Sequence, residues 1–511
     1  MTANLFDRLA AAIVEPDKAA IEIPEGERHS YADLVALAGR LANALVACGV
    51  KPGDRVAVQV EKSVPALALY LACARAGAVY LPLNTAYTLA EIEYFVGDAE
   101  PRLIVCDPAK REGVARIAAG FHATVETLDG SGRGSLTDLA AHHPDAFETV
   151  RRAPDDLAAI LYTSGTTGRS KGAMITHENL VSNALTLKDH WRFTKDDVLL
   201  HALPIFHVHG LFVASNVALF AGASMIFLQK FDANEIMRLM PRATALMGVP
   251  TFYVRLLQHP DLNRETTKHM RLFVSGSAPL LAETHREWEA RTGHAILERY
   301  GMTETGMNTS NPYEGDRVAG AVGFPLPGVS MRVTDPDTGA ELPVNEIGML
   351  EVKGPNVFKG YWRMPEKTQA EFRKDGFFIT GDLGKIDERG YVHIVGRGKD
   401  LIITGGYNVY PKEIESEIDA IPGVVESAVV GVPHPDFGEG VTAVVVPDKT
   451  AKLDEKQVLA VIENRLAKFK LPKRVIFVDD LPRNTMGKVQ KNILRDTYQS
   501  LYAPRQKAVS G

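Results

Sequence analysis

A loop rich in glycine and hydroxyl residues, at positions 162–172, most constrains what this chain can fold into. It follows an apolar run at residues 158–162 that is typical of a buried strand, and it lies ahead of a helical pattern. Glycines let backbone N–H groups turn toward one point, hydroxyls add donors, and Arg169 and Lys171 add positive charge. A strand that runs into such a loop is typical of a polyphosphate-binding site.

The spacing within this loop differs from that of the common P-loop. Gly165 and Gly168 are three residues apart, and Lys171 is followed by Gly172 rather than by Ser or Thr. A flexible surface linker is the alternative interpretation. The buried strand before the loop favours the phosphate site.

Bulk properties exclude several classes of protein. A length of 511 residues predicts two or more domains, and a net charge of −6 disfavours a nucleic-acid partner. The three cysteines, Cys48, Cys73 and Cys106, lack metal-ligand spacing and are typical of reduced thiols in the cytoplasm. The uncharged stretch 210–228 divides into a predicted helix (211–220) and strand (224–228), so we expect no membrane span.

The order of the patterns predicts an α/β fold with two domains. Strand-like and helix-like runs alternate over residues 18–110 and again from 244 to 292, which indicates sheets covered by helices. Short strands with Gly, Pro and Asp punctuation predict a small β-rich subdomain at about 320–398. A compact α/β pattern follows the charged segment 396–400. We therefore expect an N-terminal domain at 1–398 and a mobile C-terminal domain at 399–511.

Three further segments carry chemistry. Tyr300 offers a stacking aromatic, and Glu304 offers a carboxylate suited to Mg²⁺. Asp382 follows a strand, where an acid can bind a ribose diol. Lys488 stands beside a glycine in an exposed polar turn. Each signal alone is weak, because acids in glycine turns and surface lysines usually have no catalytic role.

Taken together and in this order, the motifs resemble the acyl-adenylate-forming superfamily of acyl-CoA synthetases, peptide-synthetase adenylation domains and luciferases. The resemblance spans residues 31–494 and includes the loop at 163–171, Pro204-x-Phe206-His207, Gly276-Ser277-Ala278-Pro279, residues 300–304, Thr380-Gly381-Asp382, Gly396-Arg397 and Gly487-Lys488. It implies that a carboxylate attacks the α-phosphate of ATP and that a thiol, coenzyme A, then displaces AMP from the acyl-adenylate.

The resemblance also implies roles for individual residues. The loop would hold the β- and γ-phosphates, residues 276–279 and Tyr300 would frame the adenine, and Asp382 and Arg397 would bind the ribose. The full set assigned to ATP is Thr163, Ser164, Gly165, Thr166, Thr167, Gly168, Arg169, Ser170, Lys171, Gly276, Ser277, Ala278, Pro279, Arg299, Tyr300, Gly301, Met302, Thr303, Glu304, Asp382, Arg397 and Lys488.

Catalysis is assigned by the same resemblance to Lys488, Thr303, Glu304 and His207, with Glu304 as the Mg²⁺ ligand. Lys488 would bridge the carboxylate and the α-phosphate. The C-terminal domain would then rotate about a hinge at Lys399. That rotation would bring Gly405, Gly406 and Tyr407 to the path of the thiol.

The identity of the acid depends on Arg299, directly before Tyr300. In related adenylation domains this position lines the acyl pocket and is usually small or neutral, whereas an arginine can bind a second carboxylate. The alternative is a salt bridge between Arg299 and Glu298 or another neighbour. Arg286 is a second candidate, His207 and His209 would add donors, and Met307 would limit the depth of the pocket.

Residues 297–312 closely resemble those of malonyl-CoA synthetases (malonate–CoA ligases), which implies malonate as the acid and methylmalonate as a second substrate. The alternatives are a ligase for another short, medium-chain or aromatic acid and, more remotely, a non-catalytic adenylate-binding protein. A carrier-protein thiol in place of CoA is a further alternative. The resemblance also implies reversible acetylation of Lys488 by an acetyltransferase and a deacetylase.

ATP–pyrophosphate exchange tests the substrate prediction. We expect rapid exchange with malonate and slow exchange with succinate, acetate, octanoate and 4-coumarate. Exchange with a monocarboxylate but not with malonate would contradict the substrate prediction and leave the class of enzyme intact.

Overall fold

The structure is a computed structural model that describes residues 3–163, 170–484 and 487–503. Its strands in chain order are β1 (Ala19–Glu22), β2 (Arg28–Ser30), β3 (Arg55–Gln59), β4 (Val79–Pro82), β5 (Leu103–Cys106), β6 (Thr124–Thr127), β7 (Leu157–Thr163), β8 (Lys171–Thr176), β9 (Val198–His201), β10 (Ser224–Phe227), β11 (Ala245–Gly248), β12 (Leu272–Ser275), β13 (Leu297–Met302), β14 (Gly306–Ser310), β15 (Phe324–Pro325), β16 (Ser330–Thr334), β17 (Gly348–Lys353), β18 (Gly360–Tyr361), β19 (Phe378–Ile386), β20 (Val392–Arg397), β21 (Ile402–Thr404), β22 (Tyr407–Val409), β23 (Val424–His434), β24 (Gly438–Pro447) and β25 (Arg474–Phe477).

The α-helices in chain order are α1 (Leu5–Ala10), α2 (Tyr31–Ala47), α3 (Val64–Ala76), α4 (Leu89–Ala99), α5 (Arg111–Ala119), α6 (Ser135–Ala141), α7 (His177–His190), α8 (Asn216–Phe220), α9 (Ala233–Leu239), α10 (Pro250–Leu257), α11 (Arg264–Thr267), α12 (Ala282–Thr292), α13 (Pro365–Ala370), α14 (Pro411–Asp419), α15 (Glu455–Glu463) and α16 (Lys491–Tyr498). None of these helices, within the part of the chain that is described, is long and apolar enough to cross a bilayer.

Two large sheets form the N-terminal part. The first has the strand order β15-β14-β13-β12-β11-β9-β10-β1-β2, and its parallel strands run from β13 to β1. The second has the order β18-β8-β7-β4-β3-β5-β6, with β8 and β18 antiparallel at one edge. Loops at the carboxyl ends of parallel strands gather at one edge of a sheet, which is where α/β proteins bind ligands.

Helix α3 lies in the shared core between these sheets and shows why they pack. Ser63 caps its first turn, Gly77 ends it with a φ of 69°, and almost every side chain between them is buried. A helix that is apolar on all sides must be covered on all sides. Alternate residues of β3 support this arrangement, because Val56 and Val58 face α3 while Ala57 faces the layer of α4 and α5.

The α/β fold class is confirmed, with two smaller sheets beyond the large ones. Strands β16, β17, β19 and β20 form an antiparallel sheet within residues 320–398, as predicted, although β15 and β18 from the same stretch join the large sheets. The C-terminal sheet comprises β21 to β25, packed against α14, α15 and α16. The boundary at residue 399 stays a prediction.

The predicted helix at 211–220 is partly wrong. A π-helix spans His209–Ser215 and only then does α8 begin. The side chain of Ser215 donates to the Gly210 carbonyl at 2.9 Å, so a side chain shares in satisfying the backbone of this wider turn. π-Helices of this kind occur frequently at functional sites.

Candidate active site

The glycine-rich loop joins two antiparallel strands. Thr163 at the end of β7 pairs in register with Lys171 at the start of β8, so these two residues flank the loop. The predicted helix does not follow directly, because β8 intervenes and α7 begins only after the Thr176 cap. The predicted phosphate contacts at Ser164, Gly165, Thr166, Thr167, Gly168 and Arg169 lie outside the described residues.

Lys171 is linked to Glu304 through Tyr361. The Lys171 ammonium lies 3.3 Å from Glu371 and 4.1 Å from the centre of the Tyr361 ring. The Tyr361 hydroxyl lies 2.7 Å from Glu371 and 3.1 Å from Glu304. Glu304 is buried, and burial raises its pKa. One carboxylate near a lysine is compatible with a Mg²⁺ ion that would take its remaining ligands from phosphate oxygens and water.

Tyr300, Asp382 and Arg397 form a second cluster. Asp382 and Arg397 face each other in register on β19 and β20, and their side chains pair at 2.8 Å. The Tyr300 hydroxyl donates to the other Asp382 oxygen at 2.5 Å. The Asp382 charge raises the pKa of Arg397. An aromatic ring, a fixed carboxylate and a guanidinium are the groups expected for a base, a ribose and a phosphate, although these roles stay predictions.

Lys488 lies on a tight turn that rests against the N-terminal part. Its backbone N–H donates to the Asn484 side chain at 2.9 Å, and Arg483 donates to the Gly487 carbonyl at 2.6 Å. Gly487 has a φ of 74°, and a Cβ there would lie 3.3 Å from Thr251. Loss of hydration and the charge of Arg397 lower the pKa of Lys488, which still keeps an exposed surface. The turn therefore carries this ammonium to the Asp382–Arg397 cluster.

The other C-terminal candidates lie just after the predicted domain boundary at residue 399. Lys399 belongs to a 3-10 turn, Gly398–Asp400, which Arg495 anchors through a 2.9 Å ion pair with Asp400. Gly405 and Gly406, with φ of 57° and 84°, form the two-residue turn between β21 and β22. Tyr407 is 58% exposed. Their roles as hinge and thiol path stay predictions.

Arg299 occupies the most unusual position in the site. It lies on β13 with only 3% of its surface exposed, and its Nε and Nη2 atoms have no hydrogen-bond partner among the described residues. The proposed alternative, a salt bridge with Glu298, is wrong. Glu298 points to the opposite face of the strand, where it lies 3.0 Å from His285 and accepts from the Gly320 N–H.

Small and neutral groups surround the Arg299 guanidinium. Gly276 lies so close that a Cβ there would be 2.4 Å from Nη1. Burial lowers the pKa values of His207 and His209, that of His207 to about 4, and the positive charge of nearby Arg299 lowers both further. Burial lowers the pKa of Arg299 itself to about 9. At neutral pH, a charged guanidinium therefore lies among neutral imidazoles.

Two further contacts involve His209 and Met307, which the sequence analysis assigned to the acyl pocket. His209 Nδ1 lies 3.2 Å from the Ser277 hydroxyl, and Ser277 has a φ of 72°, which is rare for a residue other than glycine. Met307 is buried on β14 directly opposite Gly301. Arg286, the second candidate for a carboxylate ligand, is exposed on α12, so Arg299 is the stronger candidate.

Several residues of the site were not identified from sequence. Tyr361 was not assigned a role, because its link to Glu304 depends on β18 pairing with β8 across a long stretch of chain. For Glu371 and Thr251, the neighbouring sequence contains no motif that indicates a place in the site. Thr303, assigned to catalysis by resemblance, lies in the turn between β13 and β14, next to Glu304 in the chain.

Comparison with known proteins places these clusters in a family. Residues 10–362 match the AMP-binding enzyme model, and residues 413–488 match the model of the AMP-binding enzyme C-terminal domain. The chain belongs to the AMP-binding enzyme family.

Particular relatives are similar over nearly the whole chain. The crystal structure of ATP-bound MatB from Rhodopseudomonas palustris is 74% identical, with a TM-score of 0.97 over 98% of this chain and 100% of that one. The malonate–CoA ligase of Arabidopsis thaliana is 35% identical, covering 95% of this chain and 87% of that protein. The feruloyl-CoA synthase of an Amycolatopsis species is 37% identical, covering 92% and 94%.

Replacing Arg299 tests whether its guanidinium binds a second carboxylate. Arg299→Gln should lower kcat/KM for malonate at least about 30-fold, since removing one partner of a buried charge pair costs roughly 2–5 kcal/mol. The KM for ATP should change little. Steady-state kinetics with each substrate in turn measure both values.

Arg286→Gln is the matched control and should behave like the unaltered protein, because this side chain is exposed. Circular dichroism and thermal unfolding establish that both variants are folded. A folded Arg299→Gln protein with an unchanged KM for malonate would contradict the assignment.

Proposed function

We propose that this protein ligates malonate to coenzyme A through a malonyl-adenylate, giving malonyl-CoA, AMP and pyrophosphate. The observation that carries the proposal is the buried Arg299 guanidinium, two of whose nitrogens have no hydrogen-bond partner among the described residues, within the site of an AMP-binding enzyme. The similarity to the Arabidopsis malonate–CoA ligase supports the same acid.

A second carboxylate is the ligand that best matches this pocket. A buried charge is costly unless it is paired, and a guanidinium presents N–H groups in a fork that matches a carboxylate. The aromatic acid of the feruloyl-CoA synthase relative would leave Arg299 unpaired, so we favour malonate over an aromatic acid. Methylmalonate is a second substrate in this proposal, because one extra methyl group changes binding by only about 1–3 kcal/mol.

In the first step, an oxygen of the near carboxylate attacks the α-phosphorus, and the bond from that phosphorus to pyrophosphate breaks. The two reactants are anions, so a cation that contacts both lowers their repulsion and stabilises charge on the phosphates. Lys488, which is near enough to Arg397 and Asp382 for their charges to affect its pKa, would fill this role. Lys171 would neutralise the outer phosphates, and Glu304 would hold the Mg²⁺ that accompanies them.

In the second step, the thiolate sulfur of coenzyme A attacks the acyl carbon, and the bond to the AMP oxygen breaks, with the thiol proton passing to solvent. The thiol needs the space that the Lys488 turn fills. We propose that the C-terminal unit, residues 399–511, rotates about Lys399 and brings the exposed Gly405–Gly406–Tyr407 turn to the opening of the site.

Two finer features belong to this proposal. Reversible acetylation of Lys488 by an acetyltransferase and a deacetylase would control the first step, because acetylation removes the charge that the step requires. A cytoplasmic location is supported by three free cysteines, of which Cys73 and Cys106 are buried.

Lys488→Ala should separate the two steps. Formation of malonyl-adenylate, measured by pyrophosphate release in a single turnover, should fall at least about 100-fold, whereas thioester formation from supplied malonyl-adenylate should stay within a few-fold of normal. Exposed Lys456→Ala, on α15, is a control in the same domain. Equal loss of both steps would contradict the division of roles.

The pH dependence of the first step should reveal the ionisation of Lys488. Its pKa is lowered, and the step needs the charged form, so the adenylation rate should decline on the alkaline side at a lower pH than an ordinary lysine would give. The thioester step should lack this decline. Rapid-quench measurements of each step between pH 7 and pH 10 compare the two profiles, and identical profiles would contradict the assignment.

Acetyl-lysine installed at position 488 tests the proposed modification. We expect the first step to be lost and the second retained, and incubation with a lysine deacetylase should restore the first. Normal adenylation by the acetylated protein would contradict the proposal.

A further inference from the structure

A fully buried lysine lies outside the site described above. Lys62, just after β3, is 4% exposed, and its ammonium makes three hydrogen bonds. It lies 2.8 Å from His201 Nδ1, 2.7 Å from the His201 carbonyl and 3.0 Å from the Leu203 carbonyl. The Phe227 ring covers it at 4.1 Å. Lys62 therefore joins the second large sheet to the carboxyl end of β9 in the first.

The hydrogen-bond partners assign the protons. His201 Nε2 lies 2.9 Å from the Gly210 carbonyl, which can only accept, so Nε2 carries the hydrogen and Nδ1 is an acceptor. Lys62 consequently faces three acceptors. An ammonium has three N–H donors and satisfies all of them, whereas a neutral amine has two and leaves one acceptor unpaired.

The hydrogen bonds of His201 connect it to the π-helix that carries His209, a residue assigned to the acyl pocket. Nε2 also lies 3.0 Å from the Ser215 hydroxyl, and Gly210 and Ser215 both belong to the π-helix that begins at His209. Gly210 packs so tightly that a Cβ there would be 2.0 Å from the Pro204 carbonyl oxygen. The position of the Gly210 carbonyl thus fixes the preceding residue, His209, against Ser277.

The geometry points to Lys62 and His201 as positioning residues for recognition of the acid. They hold the segment from β9 to the π-helix so that His209 and Ser277 close the pocket beside Arg299. This inference rests on the proposed role of Arg299 in binding the distal carboxylate. Neither residue contacts the reacting atoms; they act through the wall that orients the acid.

Lys62→Met tests the inference, since methionine fills a similar volume without donors. We expect KM for malonate to rise about 10-fold or more, because mutation of a residue that orients a ligand-binding residue commonly has an effect of this size. KM for ATP should change less than about 2-fold. The selectivity ratio, kcat/KM for malonate over that for acetate, should fall by a similar factor. A role in stability alone would not change this ratio.

Lys18→Met is the matched control. The Lys18 ammonium also donates to two backbone carbonyls, those of Lys195 and Gly222, but these precede β9 and β10 at the opposite end of the sheet. This variant should keep the normal ratio. His201→Leu should reproduce the effect of Lys62→Met, and His201→Gln, which keeps one donor and one acceptor, should recover part of the selectivity.

The outcomes separate the inference from the proposed function. A folded Lys62→Met protein with normal KM for malonate and normal selectivity would overturn the inference, as would an equal rise in KM for malonate and ATP. If Lys62→Met does not fold, the same ratio measured in His201→Leu and Ser215→Ala decides, and normal values there overturn it. If Arg299→Gln leaves KM for malonate unchanged, the proposed role of Arg299 fails instead.

Discussion

The rest of the proposed site depends on one buried guanidinium, that of Arg299, which lacks a full set of hydrogen-bond partners among the described residues. An arginine removed from water costs several kcal/mol unless another group takes over its hydrogen bonds, and Arg299 has two nitrogens that no described side chain or backbone group satisfies. The fold must stabilise this residue in the absence of ligand. A bound carboxylate would supply the negative charge and the hydrogen-bond acceptors that the Arg299 guanidinium lacks. This gain is a physical basis for selecting an acid with two carboxylates.

The surrounding architecture makes this burial possible. Adjacent residues on β13 point to opposite faces, so Glu298 pairs with His285 and cannot neutralise its neighbour. Gly276 leaves room for the guanidinium, and the π-helix places His209 beside it in neutral form. The cluster of Tyr300, Asp382 and Arg397 begins at the next residue along β13, and Lys488 lies on a turn of the C-terminal part. In the proposed mechanism, selection of the acid and activation of its carboxylate are therefore carried out by different parts of the chain.

The sequence predicts much of this arrangement, because glycine spacing and strand periodicity are local properties. The alternation that indicated sheets covered by helices is borne out, and Arg299 was recognised as an unusual residue at its position. The π-helix was missed because its width depends on bonds from Ser215 and His201, which hydrophobic periodicity does not report. Tyr361 and Lys62 were missed for a related reason. Their partners, Glu304 and His201, lie far away in the sequence, and only the folded sheets bring each pair together.

A comparison of malonate with its monomethyl ester tests the central claim most directly. The two acids share the carboxylate that is activated and differ in whether the distal group carries a charge. The account predicts that kcat/KM for the ester is at least about 30-fold lower in the unaltered protein, since the ester leaves the Arg299 guanidinium unpaired. Equal values of kcat/KM for the two acids would contradict the claim that this buried charge selects the substrate.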